Sequence, residues 1–341
     1  MLIKRKIKEN PYFSIRDNNK IVVKMPDNSE VSLPGIEPLV DETGTFTNII
    51  GVYSKNGWLN KDTNKFIKRY RNSFKYIYMS SSGPYFKKKY KKLYKKYDAV
   101  TSLDCSLPWI HKQKNNLELS YSMLARCGAL DNGFFWEPMQ ERTKDFSILT
   151  WYGDREAKGY DDAKKITKQL CEMGYTGIIV TQRGTKEDIL KDKELCRCYE
   201  KGLLEVHSAE YDEENFHKVI AKAYISIFPN QLDAFPKHII ESLLANKGIV
   251  ISDKLLFGKE TLRNLGEEIV CVLDFDDGTA SLRIKQFLED YKKSNICPRE
   301  EWLKRYDFER LSRIWAMEIN RLFHTQYKQV YLMRHIGRYA K

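Results

Sequence analysis

Two carboxylates stand eight positions apart in the second half of this 341-residue chain. Asp233 precedes a predicted helix that carries Pro236 in its first turn, and Glu241 lies within that helix. At ~100° per residue, eight positions leave the two side chains ~80° apart, so both can face one crevice. Carboxylates accept hydrogen bonds from hydroxyl groups such as those of a sugar or a ribose. The spacing favours a site for a hydroxyl-rich ligand, although two solvated carboxylates on an ordinary helix would show the same pattern.

Two cations follow an earlier predicted strand, FSILTWYG. Arg155 and Lys158 stand three positions apart where a parallel strand would meet its helix, and Gly159 comes next. Ligands bind at the carboxyl ends of parallel strands. Two cations there would neutralise a diphosphate, most of all when charge builds on a leaving group. Seen alone, the pair could equally be exposed cations at the start of a helix.

The elements that must position these residues alternate between strand and helix. From Phe146 onward, short apolar runs alternate with helical patterns of ~10–15 residues, which indicates a parallel, doubly wound sheet. A rougher α/β pattern covers the preceding hundred or so residues. The first 45 residues alternate and turn at Asn18-Asn19 and at Pro26-Asp27-Asn28, which predicts a small β hairpin or meander.

The interruption of this pattern around residues 131–145 predicts a domain boundary. We expect an N-terminal domain over residues 1–140, of which 1–45 form a β appendage. A Rossmann-like domain would follow over residues 146–322. Residues 323–341 would form a helical tail that packs back on the N-terminal domain.

These motifs together resemble those of glycosyltransferase family 4, whose members have the GT-B fold. In that family, Gly-Arg followed by Lys-Gly opens the second domain, and a pair of acids with seven residues between them follows later. Arg155 and Lys158 match the first motif, and Asp233 and Glu241 match the second in the same order. The resemblance implies an α/β protein of two Rossmann-like domains, with parallel sheets that face each other across a cleft.

The resemblance also implies a donor site on the C-terminal domain for a nucleotide-diphosphate sugar, UDP- or GDP-linked. Glu241 would accept the ribose hydroxyls and Asp233 the sugar hydroxyls. The backbone N–H groups of Ala234 and Phe235 would lie close to the sugar. The first acid is an aspartate in this chain, one methylene shorter than the family's glutamate.

The implied catalytic residues are Arg155, Lys158 and Asp233. The two cations would stabilise the departing diphosphate, so no metal or other cofactor is expected. The family retains the anomeric configuration, and a same-face displacement needs no covalent nucleophile. On the acceptor side, the family often has a histidine after a middle strand, where this chain reads Met79-Ser80-Ser81-Ser82-Gly83. His111 is a candidate replacement, with a packing or surface role as the alternative.

The net charge of +12 is concentrated in the N-terminal part of the chain. Residues 1–150 contain 26 lysines and arginines against 15 acids, whereas the remainder contains 32 against 31. Seven of the lysines lie in a predicted helix over residues 85–97, among them Lys88, Lys92 and Lys95. This helix is either a solvated helix docked by its aromatic stripe or an electrostatic dock for an anionic membrane or for nucleic acid.

The cysteines, the length of the apolar runs and the N-terminal residues bear on the cellular compartment. Seven cysteines are scattered and odd in number, which favours a reduced, cytoplasmic protein. The chain has no apolar run near the ~18 residues of a membrane span, and its basic N-terminus lacks the apolar stretch of a signal peptide. We therefore expect a cytoplasmic protein that can associate with the inner face of a membrane.

The sequence as a whole predicts a retaining glycosyltransferase whose acceptor is a lipid-linked or surface glycan at an anionic membrane face. One alternative is an enzyme that glycosylates bases in DNA, of the bacteriophage type. Another is an inactive GT-B scaffold that binds nucleic acid or membrane.

Overall fold

The computed structural model describes residues 13–16, 20–24, 30–31, 35–52, 61–79, 97–102, 120–121, 141–153, 158–181, 183–208, 218–231, 237–255, 259–306 and 308–332. Contacts group the chain into two compact units, one of residues 1–132 with 306–341 and the other of residues 133–305. The last long helix and the strand after it thus belong to the first unit, whereas the sequence pattern placed that helix in the second domain.

The first unit begins with a three-stranded antiparallel meander, as predicted. Its strands are β1 (Phe13–Arg16), β2 (Lys20–Lys24) and β3 (Glu30–Val31). Phe13 is fully buried, and its ring lies 5.4 Å from that of Phe46 and 5.7 Å from that of Phe74. The meander is therefore anchored on the main body of the unit by this aromatic contact.

Six strands form the main sheet of the first unit: β4 (Ile36–Asp41), β5 (Phe46–Val52), β6 (Lys75–Met79), β7 (Ala99–Ser102), β8 (Ser120–Tyr121) and β15 (Val330–Leu332). Their order is β15-β4-β5-β6-β7-β8, and β5 to β8 are parallel, as predicted. β4 is antiparallel to β5, because a tight turn joins them in which Asp41 Oδ1 accepts hydrogen bonds from the Thr43 and Thr45 N–H groups at 2.8 and 3.0 Å. β4 belongs to the main sheet although it lies within the 45 residues expected to form the appendage.

The C-terminal part of the chain completes this unit with α9 (Phe308–Phe323) and the edge strand β15. The sequence pattern predicted a helical tail, but residues 330–332 are a strand because they pair with Leu39, Val40 and Asp41 of β4. Val330 and Tyr331 are buried in that position. The helix α1 (Lys61–Arg69) buries Phe66 and Ile67. The lysine-rich helix predicted over residues 85–97 lies almost entirely outside the described residues.

The second unit contains one six-stranded sheet in which every pair is parallel. Its strands are β9 (Lys144–Thr150), β10 (Gly177–Thr181), β11 (Leu204–Ser208), β12 (Ala223–Phe228), β13 (Gly248–Ser252) and β14 (Val270–Leu273). The strand order is β11-β10-β9-β12-β13-β14. Every residue of β10 and of β13 is buried, because helices cover both faces of such a sheet.

The helices of the second unit are α2 (Tyr160–Glu172), α3 (Lys186–Leu190), α4 (Lys193–Glu200), α5 (Lys237–Leu244), α6 (Lys259–Arg263), α7 (Ala280–Lys293) and α8 (Pro298–Tyr306). One core joins β9 and β12 to α2 and α7 through Phe146, Ile166, Ile225 and Leu288, among others. Asn246, two residues after α5, has a φ of 54°, so the helix ends in a left-handed turn.

Asp192 divides the charged segment of residues 185–202 into the two helices α3 and α4. Its side chain accepts hydrogen bonds from the N–H groups of Glu194 and Leu195 and so caps α4. Burial by itself raises the pKa of Asp192, but the Leu195 N–H and the Lys168 ammonium outweigh that effect and hold the pKa below its usual value. The carboxylate is therefore a fixed negative charge at this helix start.

Candidate functional site

The carboxyl ends of β9 and β12 lie side by side in the centre of the second sheet. The order of the strands reverses between them, because β10 and β11 extend the sheet on one side and β13 and β14 on the other. Open α/β sheets bind their ligands in the crevice outside such a reversal. The loop after β9 carries Lys158, and the loop after β12 leads into α5 and Glu241. Both candidate-bearing segments therefore leave the sheet at its ligand-binding edge.

Lys158 lies two residues before α2 and is partly buried. Its Nζ is 4.7 Å from the ring centroid of Trp151, the first residue after β9. Gly159 is the N-cap of α2 and has no side chain that could cap the N–H groups of the first turn. The ammonium and the positive end of the helix dipole thus lie close together, which suits an anionic ligand.

The loops after β9 and β12 are packed tightly against each other. Gly159 has a φ of 62°, and a Cβ at this position would lie 2.3 Å from the carbonyl oxygen of Pro229. Only glycine permits that approach. A second contact joins the loops two residues after Pro229, where Gln231 Nε2 donates a hydrogen bond to the Asp162 carboxylate at 3.3 Å. Burial raises the pKa of this carboxyl group above its usual value. The path of one loop is therefore set by the other.

Glu241 is buried, with 1% of its surface exposed. Its Oε2 is paired with Nδ1 of His238, which lies three residues earlier on α5. Residues three apart share a helix face, so the pairing follows directly from the helical geometry. The imidazole thus holds the carboxylate in one orientation, and Glu241 is not the solvated acid that the sequence left open as an alternative.

The structure describes two of the residues predicted for the donor site, Lys158 and Glu241. Arg155 lies in residues 154–157 and Asp233, Ala234 and Phe235 in residues 232–236, which are outside the described residues, as are His111, Lys88, Lys92 and Lys95. The described flanks of both segments, Lys158-Gly159 and Pro229-Asn230-Gln231, meet at the same edge. The proposed roles of the undescribed residues stay predictions.

Four residues at this edge were not identified from the sequence. His238 is the partner of Glu241, and the guanidinium carbon of Arg183 is 4.2 Å from the Trp151 ring centroid. Thr150 and Asp253 each bury a side-chain oxygen that has no hydrogen-bond partner among the described residues. His238 could have been found from its spacing of three before Glu241. The other three can be identified only once the order β10-β9-β12-β13 places the ends of their strands along one edge of the sheet.

The outer part of the edge is electrically balanced. Lys254 pairs with Asp274 at 3.3 Å and with Asp276, and the hydrogen bond to Lys254 lowers the pKa of Asp276. The Lys165 ammonium donates to the Phe275 carbonyl oxygen at 3.1 Å. Within the described ranges, no group of three or more histidine, cysteine and acidic side chains could hold a metal ion.

Comparison with known proteins places the fold. No protein-family model matches the sequence, and no curated protein is significantly similar to it. Among solved structures, sucrose-phosphate synthase from Thermosynechococcus elongatus has a TM-score of 0.63 at 11% identity, over 94% of this chain and 88% of that chain. The fold is GT-B.

Two further structures agree with this assignment. TarM has a TM-score of 0.58 at 12% identity, over 92% of this chain, which spans only 63% of TarM. The pneumococcal O-GlcNAc transferase GtfA, solved with UDP and GlcNAc, has a TM-score of 0.57 at 10% identity, over 92% of this chain and 70% of that chain. The shared fold fixes the topology of this GT-B protein, whereas its activity must be argued from its own residues. No described helix is long and apolar enough to cross a bilayer.

Proposed function

We propose that this protein is a glycosyltransferase that transfers a sugar, with retention, from a UDP- or GDP-linked donor. The meeting of the β9 and β12 loops at the reversal of strand order supports the proposal most directly. Lys158 stands in one loop and the other leads to Glu241, and the contact of Gly159 with Pro229 joins the two. The structural neighbours include a transferase solved with UDP and GlcNAc.

The chemistry of the described residues suits the two ends of such a donor. Lys158 would face the diphosphate, where its charge and the α2 N-terminus would stabilise the leaving group as the glycosidic bond breaks. Glu241, oriented by His238, would accept hydrogen bonds from the ribose hydroxyls. In the same proposal, Arg155 is a second cation for the diphosphate, Asp233 holds sugar hydroxyls, and the N–H groups next to it contact the sugar.

The donor part of the proposal is tested by calorimetry with UDP, GDP and their 2′,3′-dideoxy analogues. The unaltered protein should bind one ribonucleotide and discriminate against its dideoxy analogue by roughly tenfold to a hundredfold, because hydrogen bonds to a charged group contribute about 1.5–3 kcal/mol. Glu241→Gln should lose most of that discrimination, and the exposed control Glu267→Gln should keep it. A protein that binds no nucleotide, or a Glu241 variant that discriminates normally, would contradict the proposal.

The catalytic part is tested by the release of nucleoside diphosphate from a panel of nucleotide sugars. Lys158→Gln should lower kcat by about a hundredfold, the usual loss when one group that stabilises developing charge is removed. Lys201→Gln, at the exposed lysine that ends α4, is the matched control. Equal rates in the two variants would remove Lys158 from the mechanism.

The acceptor is proposed from charge alone. The excess of cations in residues 1–150 favours an anionic membrane face that presents a lipid-linked or surface glycan. His111 is the proposed acceptor-side histidine. Cosedimentation with anionic vesicles should exceed retention on duplex DNA, and replacement of Lys88, Lys92 and Lys95 by glutamine should abolish it. Stronger binding to DNA would favour a base-modifying enzyme instead.

A further inference from the structure

Trp151 is contacted by two cations that come from different loops. The Arg183 guanidinium carbon lies 4.2 Å from the indole centroid and the Lys158 Nζ lies 4.7 Å from it. Each contact is favourable by about 0.5–1 kcal/mol at an exposed position, because the ring face carries partial negative charge. A single aromatic side chain thus holds two positive charges at the carboxyl ends of β9 and β10.

The two charges are close enough to repel each other. Their distances to one centroid limit their separation to about 9 Å, within one Debye length at ~0.1 M salt. Arg183 is exposed and has no carboxylate within ion-pair distance among the described residues. Other cations in this unit, such as Lys168 and Lys254, are neutralised by acids. The exposed Arg183 guanidinium is therefore a charge at this edge that an anionic ligand could neutralise.

The backbone of Arg183 is held firmly next to Trp151. Its carbonyl oxygen accepts a hydrogen bond from the Tyr152 N–H at 3.1 Å. The next residue, Gly184, has a φ of 83°, and a Cβ there would lie 2.6 Å from the Tyr152 Cβ. The guanidinium therefore projects from a loop whose position is set by the neighbouring strand, which is a condition for tight anion binding.

We infer that Arg183, supported by the Trp151 ring, is a further binding residue for the donor, and that it contacts the diphosphate together with Lys158. The inference rests on the proposed function, since it takes the donor to be a nucleotide-diphosphate sugar. A guanidinium is planar and can donate two parallel hydrogen bonds to phosphate oxygens, which an ammonium cannot. Trp151 is a positioning residue, because it orients the two cations without contacting the ligand.

The test compares the affinities of UDP, GDP, inorganic pyrophosphate and the nucleosides uridine and guanosine for four proteins. Arg183→Gln should weaken the better-bound nucleoside diphosphate, and pyrophosphate, by about tenfold and leave its nucleoside unchanged. Arg183→Lys should recover part of the loss. Arg197→Gln removes an equal charge from an exposed site on α4 and should bind like the unaltered protein. The loss should also shrink at high salt, because a phosphate contact is screened.

The outcomes separate this inference from the proposed function. If the unaltered protein binds neither nucleoside diphosphate, both fail. If it binds one and Arg183→Gln binds that one equally well, only the role of Arg183 fails. The positioning role is tested by Trp151→Phe, which retains an aromatic face, against Trp151→Leu, which does not. The leucine variant should weaken nucleoside diphosphate binding severalfold more than the phenylalanine variant, and equal affinities would overturn the role of the ring.

Discussion

Lys247 provides the sharpest test of the structure of the second unit. The residue directly precedes β13 and is fully buried. Its Nζ lies 3.1 Å from Ser147 Oγ and 3.3 Å from Ser226 Oγ, and it donates to the carbonyl oxygen of Ile220. Burial, and secondarily the charge of Arg142, lowers the pKa of the amine well below 10.5. We predict that Lys247 loses its proton at a lower pH in the folded protein than in the unfolded chain.

This prediction fixes both the sign and the size of a pH effect. Between the lowered pKa of Lys247 and 10.5, the unfolded chain binds one more proton than the folded protein. The free energy of unfolding should therefore rise with pH by about 1.4 kcal/mol per pH unit in that window. The contribution is lost as the pH falls from 10.5 toward the lowered pKa, because protonation then stabilises the unfolded chain and not the folded protein.

The assay is urea unfolding at about pH 7.5, about pH 8.5 and about pH 9.5, with the unaltered protein and Lys247→Met. The difference in free energy of unfolding between the two proteins isolates Lys247 from the other groups that titrate. It should rise with pH, with a slope of at most about 1.4 kcal/mol per pH unit, whereas Lys285→Met, an exposed control on α7, should show no slope. Parallel curves for Lys247→Met and the unaltered protein would show that the buried amine stays charged, and would refute the reasoning.

Further substitutions test the loops and the helix starts. Gly159→Ala should lower the free energy of unfolding by about 3 kcal/mol, because its Cβ would meet the Pro229 oxygen. Gly153→Ala, at a φ of 73° with open space around it, should cost only about 1 kcal/mol, and equal losses on urea unfolding would contradict the close approach. Asp192→Ala should cost about 1–2 kcal/mol at neutral pH, since it removes the α4 cap. Thermal unfolding should show that cost vanish as the pH falls through the lowered pKa of Asp192; a constant cost would refute the ionised cap.

The parallel core of the second unit could be predicted because its signal is local. Runs such as Ile249–Ile251 are apolar at successive positions, as is typical of strands that are buried on both faces. The helices between them show apolar positions three and four apart, and Asn246 marks the end of α5. The division of the charged segment at residues 185–202 was harder to predict from the sequence. Its helical pattern continues across Asp192, whereas the capping hydrogen bonds of Asp192 divide the segment into two helices.

The edge of the first sheet could not be predicted in the same way. β15 pairs with β4 across almost the whole length of the chain, and nothing in a three-residue strand indicates a partner so distant. The short apolar segment Val330–Leu332 has no periodicity that separates a strand from a helix, so the predicted helical tail was wrong for these residues. Pairing with Leu39, Val40 and Asp41 decided its conformation.

The amino-acid sequence alone determined the alternation of strands and helices in the second unit, the positive charge of residues 1–150 and the spacing of Lys158 and Glu241, since each follows from residue type and chain position. The tertiary structure alone decided which strand ends are neighbours. It brought Gly159 against Pro229 and both Arg183 and Lys158 to the ring of Trp151, and it buried the Lys247 amine among serine hydroxyls. Those contacts join different strands, and their strength depends on distances and burial that only the folded sheet creates.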